Sequence, residues 1–165
     1  GLACAIKQTP WLLAPFLLIW IFHDSTESSR KERITRAVIF ATASAGLFLI
    51  PNLWFIYQDY SRWWNGVIAP SFGNLVILSQ GLSMISETGL IPLPPSFYSV
   101  TFVTVFAVML FNYAVYFDKL KHAIWIVPIL TMWFSYRGLQ NYFIFWTPML
   151  VLSAMYLYKE RAGLL

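Results

Sequence analysis

Residues 29–56 read SRKERITRAVIFATASAGLFLIPNLWFI. Four cations, Arg30, Lys31, Arg33 and Arg36, come first, and then twenty residues, 37–56, without a charge. As a helix rising about 1.5 Å per residue, twenty apolar residues cross a hydrocarbon layer of about 30 Å. Ser29 and Glu32 have the Ser-x-x-Glu spacing of a capping box, which predicts a helix start just ahead of Ala37. Cations at the mouth of an uncharged run are the pattern of a membrane span and its cytoplasmic flank.

Working outward, four more apolar runs occupy 2–22, 97–117, 123–136 and 142–158; the first two are about as long as 37–56, the last two shorter. Alternate gaps carry Arg30, Lys31, Arg33, Arg36, Lys119, Lys121, Lys159 and Arg161, whereas the opposite gaps hold only Arg62 and Arg137. Lys/Arg bias in short loops sets orientation, so the eight-cation side is expected to be cytoplasmic, with the C-terminus on it. The expected fold is an all-α polytopic transmembrane bundle of about five spans. An outer-face re-entrant or interfacial segment completes it.

That segment is 67–86, apolar enough to pass for a sixth span. If it crossed, every later loop would change sides and the cations would divide five against five. Its Pro70, Gly73, Asn74, Gly81 and serines also suit a lipid-facing helix poorly. The outer loop is then 57–96, too rich in tryptophan and aliphatics for disorder. Pro92, Pro94 and Pro95 end whatever precedes them, and Ser96 is placed as the N-cap of the next span. Aromatic belts are expected at Trp54, Tyr57, Tyr60, Trp63 and Trp64 outside, and at Tyr113, Tyr116, Tyr156 and Tyr158 inside.

The composition agrees: 59% hydrophobic, 19% aromatic and 11% charged residues, against about 25% charged in soluble domains. The orientation bias accounts for the net charge of +4, so no nucleic-acid partner is expected. Cys4 is the single cysteine, so there is no disulfide framework. Gly1 opens inside an apolar run with no basic region or cleavage site ahead of it, which argues against a signal peptide. The 165 residues are therefore expected to be the C-terminal transmembrane part of a longer polypeptide.

Chemistry is sought where polar groups meet apolar runs. Lys7, beside Gln8 and ahead of Pro10, either snorkels to outer headgroups or meets an anion in a cavity. Arg62 adjoins Trp63 and Trp64, which fits an aromatic belt with one cation or a lipid-phosphate or sugar site. Because 123–136 and 142–158 are short, the connector 137–141 is expected beneath the outer interface. Arg137, Gln140 and Asn141 would line a cavity there. Asp59 and Glu87 are the outer-face carboxylates, read first as solvated loop acids. His23 and His122 are read as caps of cytoplasmic span ends rather than metal or tetrapyrrole ligands. Walker, His-Glu-x-x-His, Gly-x-Ser-x-Gly and Cys-x-x-Cys motifs are absent, and no cofactor or metal is assigned.

Gly1-Leu2-Ala3-Cys4-Ala5-Ile6-Lys7-Gln8-Thr9-Pro10-Trp11, followed by Ala14-Pro15-Phe16, resembles a stretch of polytopic bacterial membrane proteins in the GT-C glycosyltransferase superfamily. Pro51-Asn52-Leu53-Trp54-Phe55-Ile56 running into Trp64, Gly66 and Pro70 is similar to the same lineage, as is Phe134-Ser135-Tyr136-Arg137 with Leu139-Gln140-Asn141-Tyr142. The resemblance covers most of the chain but only the C-terminal half of such an enzyme. It implies sugar transfer from a polyprenyl-phosphate donor on the extracytoplasmic face. It also implies a catalytic carboxylate in an upstream loop absent here, so no catalytic residue carries over and this chain alone would be inactive. Lys7 and Arg137 are then expected to converge on the donor phosphate, roofed by 57–96. Competing readings are a non-catalytic transmembrane subunit of a larger energy-transducing or photosynthetic complex, and a transporter.

Overall fold

The computed structural model describes residues 1–6, 9–23, 29–69, 81–135 and 140–163. Among them every regular element is helical. The chain divides into two compact units, Gly1–Asn74 and Leu75–Leu165.

In the first unit, the run 2–22 is helical over α1 (Leu2–Ile6) and α2 (Thr9–His23), with 7–8 outside the described residues. The Trp11 indole donates to the Cys4 carbonyl at 2.7 Å and ties α2 to α1. Trp11 also meets Phe48 edge-on at 5.6 Å, which fastens α2 to α3 (Arg30–Gln58). The predicted capping box forms: Ser29 Oγ accepts from the Glu32 amide and Glu32 Oε2 from the Ser29 amide. The helix starts at Arg30, so the cations sit on its first two turns. A single residue, Asp59, separates α3 from the short helix α4 (Tyr60–Trp63), which leads into a π-helical turn, Trp64–Ile68.

In the second unit α5 (Met84–Glu87) precedes α6 (Pro95–Val115). Ser96 is not the N-cap of α6. Pro94 takes that place without a side-chain bond, and Pro95 opens the helix with the φ that suits its first turn. Tyr98 is fully buried, and its hydroxyl meets Ser86 Oγ. Because Ser86 gives its own proton to the Ile91 carbonyl, Tyr98 is the donor.

The run 123–136 is not one helix. After α7 (Phe117–Leu120) come a 3-10 stretch, Lys121–Trp125, and a six-residue helix, α8 (Val127–Met132). Pro128, near the start of α8, cannot donate to a preceding carbonyl. Ile124, Pro128, Ile129, Thr131 and Met132 are buried there beside Tyr98, Tyr113 and Phe117. The inner aromatic belt loses Tyr113, which is fully buried, packs edge-on against Phe117 and donates to the Lys121 carbonyl. Tyr116, Tyr156 and Tyr158 are exposed, as are Trp54, Tyr57, Tyr60 and Trp64.

The last helix, α9 (Gln140–Arg161), has 22 residues and so exceeds the run 142–158 at both ends. Gln140 and Asn141 belong to the first turn of α9, and the rest of the expected connector, 137–139, lies outside the described residues. Most of the expected re-entrant segment, residues 70–80, lies outside the described residues.

Two described helices, α3 and α6, are long and apolar enough to cross a membrane. The number of spans that meet this test is two rather than five. Only 6% of the apolar window of α3 and 11% of that of α6 is buried within the chain, which separates both from the core helices of water-soluble folds.

Candidate functional site

The site begins with a polar residue inside an apolar run. Asn52 follows Pro51 near the end of α3 and is 93% buried, at 7% relative exposure. Its Nδ2 donates to the Phe48 carbonyl at 2.7 Å, leaving Oδ1 to accept the Trp63 indole N–H at 2.8 Å. A buried amide satisfied on both sides fixes its own rotamer and its partner's. That bond folds α4 back along α3.

Asp59 makes the corner. Its amide donates to the Phe55 carbonyl, ending α3, and its Oδ1 accepts from the Arg62 amide at 3.0 Å, starting α4. The second carboxylate oxygen lies 3.2 Å from Arg62 Nε. Arg62 is nevertheless 90% exposed, so this pair contributes at most about 1 kcal/mol to stability. The cation is held at the rim with most of its donors open to a ligand.

An open cleft of about 610 Å3 results, lined by Asn52, Phe55, Gln58, Asp59, Arg62, Trp63, Gly66 and Val67. The π turn forms one wall, and a Cβ added at Gly66 would meet nothing within 4 Å. Tyr60 leans on both tryptophan rings, at 6.1 Å from Trp63 and 6.0 Å from Trp64. One aromatic face, two amides, one carboxylate and one forked cation can together engage a hydroxylated ring carrying a phosphate.

Of the residues expected to bind, Arg62 and Trp63 line this cleft and Trp64 stands beside it, 42% exposed. Lys7, Gln8 and Arg137 lie outside the described residues, as do the side chains of Gln140 and Asn141. Asn52 and Gln58 are site residues that the reading of the sequence missed. The signal for Asn52 was present, since it is the one amide side chain in 37–56 and follows a proline. Asp59, read as a solvated loop acid, proves to be the structural corner.

A second polar cluster joins Lys121, His122 and Glu160. Glu160 pairs with the Lys121 ammonium through Oε1 and with His122 Nε2 at 3.0 Å through Oε2, while the His122 ring stacks on Tyr156 at 5.9 Å. The hydrogen bond and charge of Lys121, followed by the charge of His122, hold the Glu160 carboxyl below its ordinary pKa. His23 turns its Nδ1 to the Ile19 carbonyl of its own last turn at 2.9 Å. Among the described residues no group of three His, Cys, Asp or Glu side chains could hold a metal ion.

No family model matches this chain, and neither a curated protein nor a solved structure matches it.

Proposed function

We propose that this chain is the membrane-embedded part of a glycosyltransferase that uses a polyprenyl-phosphate sugar. The observation that carries the reading is the cleft at the α3–α4 corner, where Trp63, held by the buried Asn52, stands beside Gln58, Asp59 and the exposed fork of Arg62. The exposed apolar faces of α3 and α6 support residence in a membrane, because that much apolar surface is costly in water. In this reading five spans cross a bacterial inner membrane, with Arg30–Arg36 and the C-terminus cytoplasmic and 57–96 outside. Trp63 stacks on the sugar, the amides orient its hydroxyls, and Arg62 holds the phosphate. The sequence also offers Lys7, Gln8, Arg137, Gln140 and Asn141 for the donor, and the reading of the cleft does not depend on them. Transfer is a displacement at the anomeric carbon: the acceptor oxygen forms the new bond, the polyprenyl phosphate leaves with the electron pair, and the acceptor proton passes to a base outside this chain.

The test is retention of a radiolabelled polyprenyl-phosphate sugar by the protein in nanodiscs. Trp63→Ala and Arg62→Gln should each weaken it by about tenfold, the size of one lost charge-assisted or stacking contact. Equal retention by wild type, both variants and empty discs would remove the proposal.

A second reading, a non-catalytic subunit of a larger membrane complex, is favoured by the same exposed faces of α3 and α6, which partner helices could cover in place of lipid. Mild-detergent purification distinguishes the two, because a subunit would leave the membrane with stoichiometric partners.

A further inference from the structure

We infer that the first two turns of α3 hold the headgroup of an anionic phospholipid, a site separate from the cleft. The inference rests on the membrane reading of α3 but not on the transferase reading.

Arg30 and Arg33 are three residues apart and therefore neighbours on the helix surface. Arg33 is the unusual member. Among the described residues its Nε is buried without a hydrogen-bond partner, while its guanidinium carbon lies 5.6 Å from the centre of the Phe22 ring on α2. A guanidinium with an unpaired buried donor is poorly compensated, and an anion beside it would balance its charge. Arg30 is exposed. The acid closest in sequence, Glu32, turns its carboxylate to the Ser29 amide through the capping box, and against its one negative charge the first two turns carry Arg30, Lys31, Arg33 and Arg36.

The surroundings select a lipid over a free anion. Ile34 and Val38 follow Arg30 at intervals of four along one face, 46% and 53% exposed. Cation, then apolar residues up the same stripe, matches phosphate, then acyl chain. Arg33 lies four residues, about 6 Å, before Ala37, the depth at which a phosphate sits when the apolar run fills the hydrocarbon layer. A phosphodiester with a net negative charge fits here; a zwitterionic choline lipid brings its own cation against two arginines. Arginine suits the site because its planar fork takes two phosphate oxygens while its face stays on Phe22.

The experiment measures lipid retained by the full chain. The protein is purified from membranes, exchanged into equimolar short-chain phosphatidylglycerol and phosphatidylcholine, and examined by native mass spectrometry. Phosphatidylglycerol should be retained over phosphatidylcholine. Arg30→Gln and Arg33→Gln should each reduce that preference by about tenfold, the size of one hydrogen bond to a charged group. Arg33→Lys should recover little of it. Equal retention of the two lipids by the wild-type protein overturns the inference without any variant. Displacement of phosphatidylglycerol by millimolar inorganic phosphate overturns the lipid assignment. Recovery of the chain in the soluble fraction without detergent overturns the membrane reading, and this site with it.

Discussion

The indole of Trp63 donates to the side-chain oxygen of Asn52, eleven residues earlier in the chain, at 2.8 Å. Neither group can leave that bond without loss. Asn52 is buried, and a buried acceptor or donor left alone costs about 1–3 kcal/mol. Asn52→Leu should therefore destabilise the first unit by that amount in thermal unfolding, and Trp63→Phe should do so less severely. The double variant should be less destabilised than the two losses added together. Strict additivity would show that the bond carries no coupling.

The capping box at the start of α3 makes a second prediction. Ser29→Ala removes the oxygen that accepts the Glu32 amide, and loss of such a cap costs about 1 kcal/mol. Amide exchange in the first turn, Arg30–Arg33, should accelerate while that of the later turns stays unchanged. A uniform change along the helix would contradict a local cap.

Acid should loosen the end of α9. Glu160 titrates below its ordinary value because Lys121 and His122 hold its charged form. A depressed carboxyl stabilises the folded state above its unfolded pKa, about 4.5, and loses that contribution as pH falls through the lowered value. Exchange protection of Lys121–Trp125 should hold at neutral pH and fall below about pH 4.5. Glu160→Gln should remove that step, and an unchanged profile in the variant would assign it elsewhere.

Gly81 is a steric prediction. A Cβ at this position would collide with the Trp133 carbonyl, which accepts the Leu82 amide at 2.8 Å. Gly81→Ala must push the two segments apart, at about 1–3 kcal/mol for overpacking. Unfolding in detergent should register the loss, and wild-type stability would mean that the segments separate freely.

Trp11 offers a chemical readout. Its indole donates to the Cys4 carbonyl and links α2 to α1. Trp11→Phe keeps the ring against Phe48 and drops the bond, so maleimide labelling of Cys4 should quicken. An unchanged rate would show that α1 is held by other contacts.

The capped start of α3 and the extent of α6 were legible because caps and long uncharged runs are local signals. The broken run was not. Apolarity reports where the chain prefers to sit and says little about whether it winds as one helix, so Pro128 decided what the hydropathy of 123–136 could not. Tyr113 was misplaced for a related reason. Its identity suits an interface, but its spacing to Phe117 and the reach of its hydroxyl to Lys121 bury it. At the cleft, Arg62 and Trp63 announced themselves by type, whereas Asn52 became part of the site only when the corner at Asp59 brought α4 back beside it.

The length of α3 has a mechanical consequence. Its 29 residues extend about 43 Å along the axis, some 13 Å beyond a hydrocarbon layer of about 30 Å. The surplus lies at two chemically unlike ends, arginines at one and the Asn52–Asp59 corner at the other. A thicker bilayer would draw in whichever end yields more readily, and submerging the four cations Arg30, Lys31, Arg33 and Arg36 is costlier than submerging the single Asp59–Arg62 pair. Thickening would therefore be taken up at the corner, where the cleft opens. In a membrane, α3 thus acts as a depth gauge whose fixed mark is its basic end and whose reading is the height of Trp63.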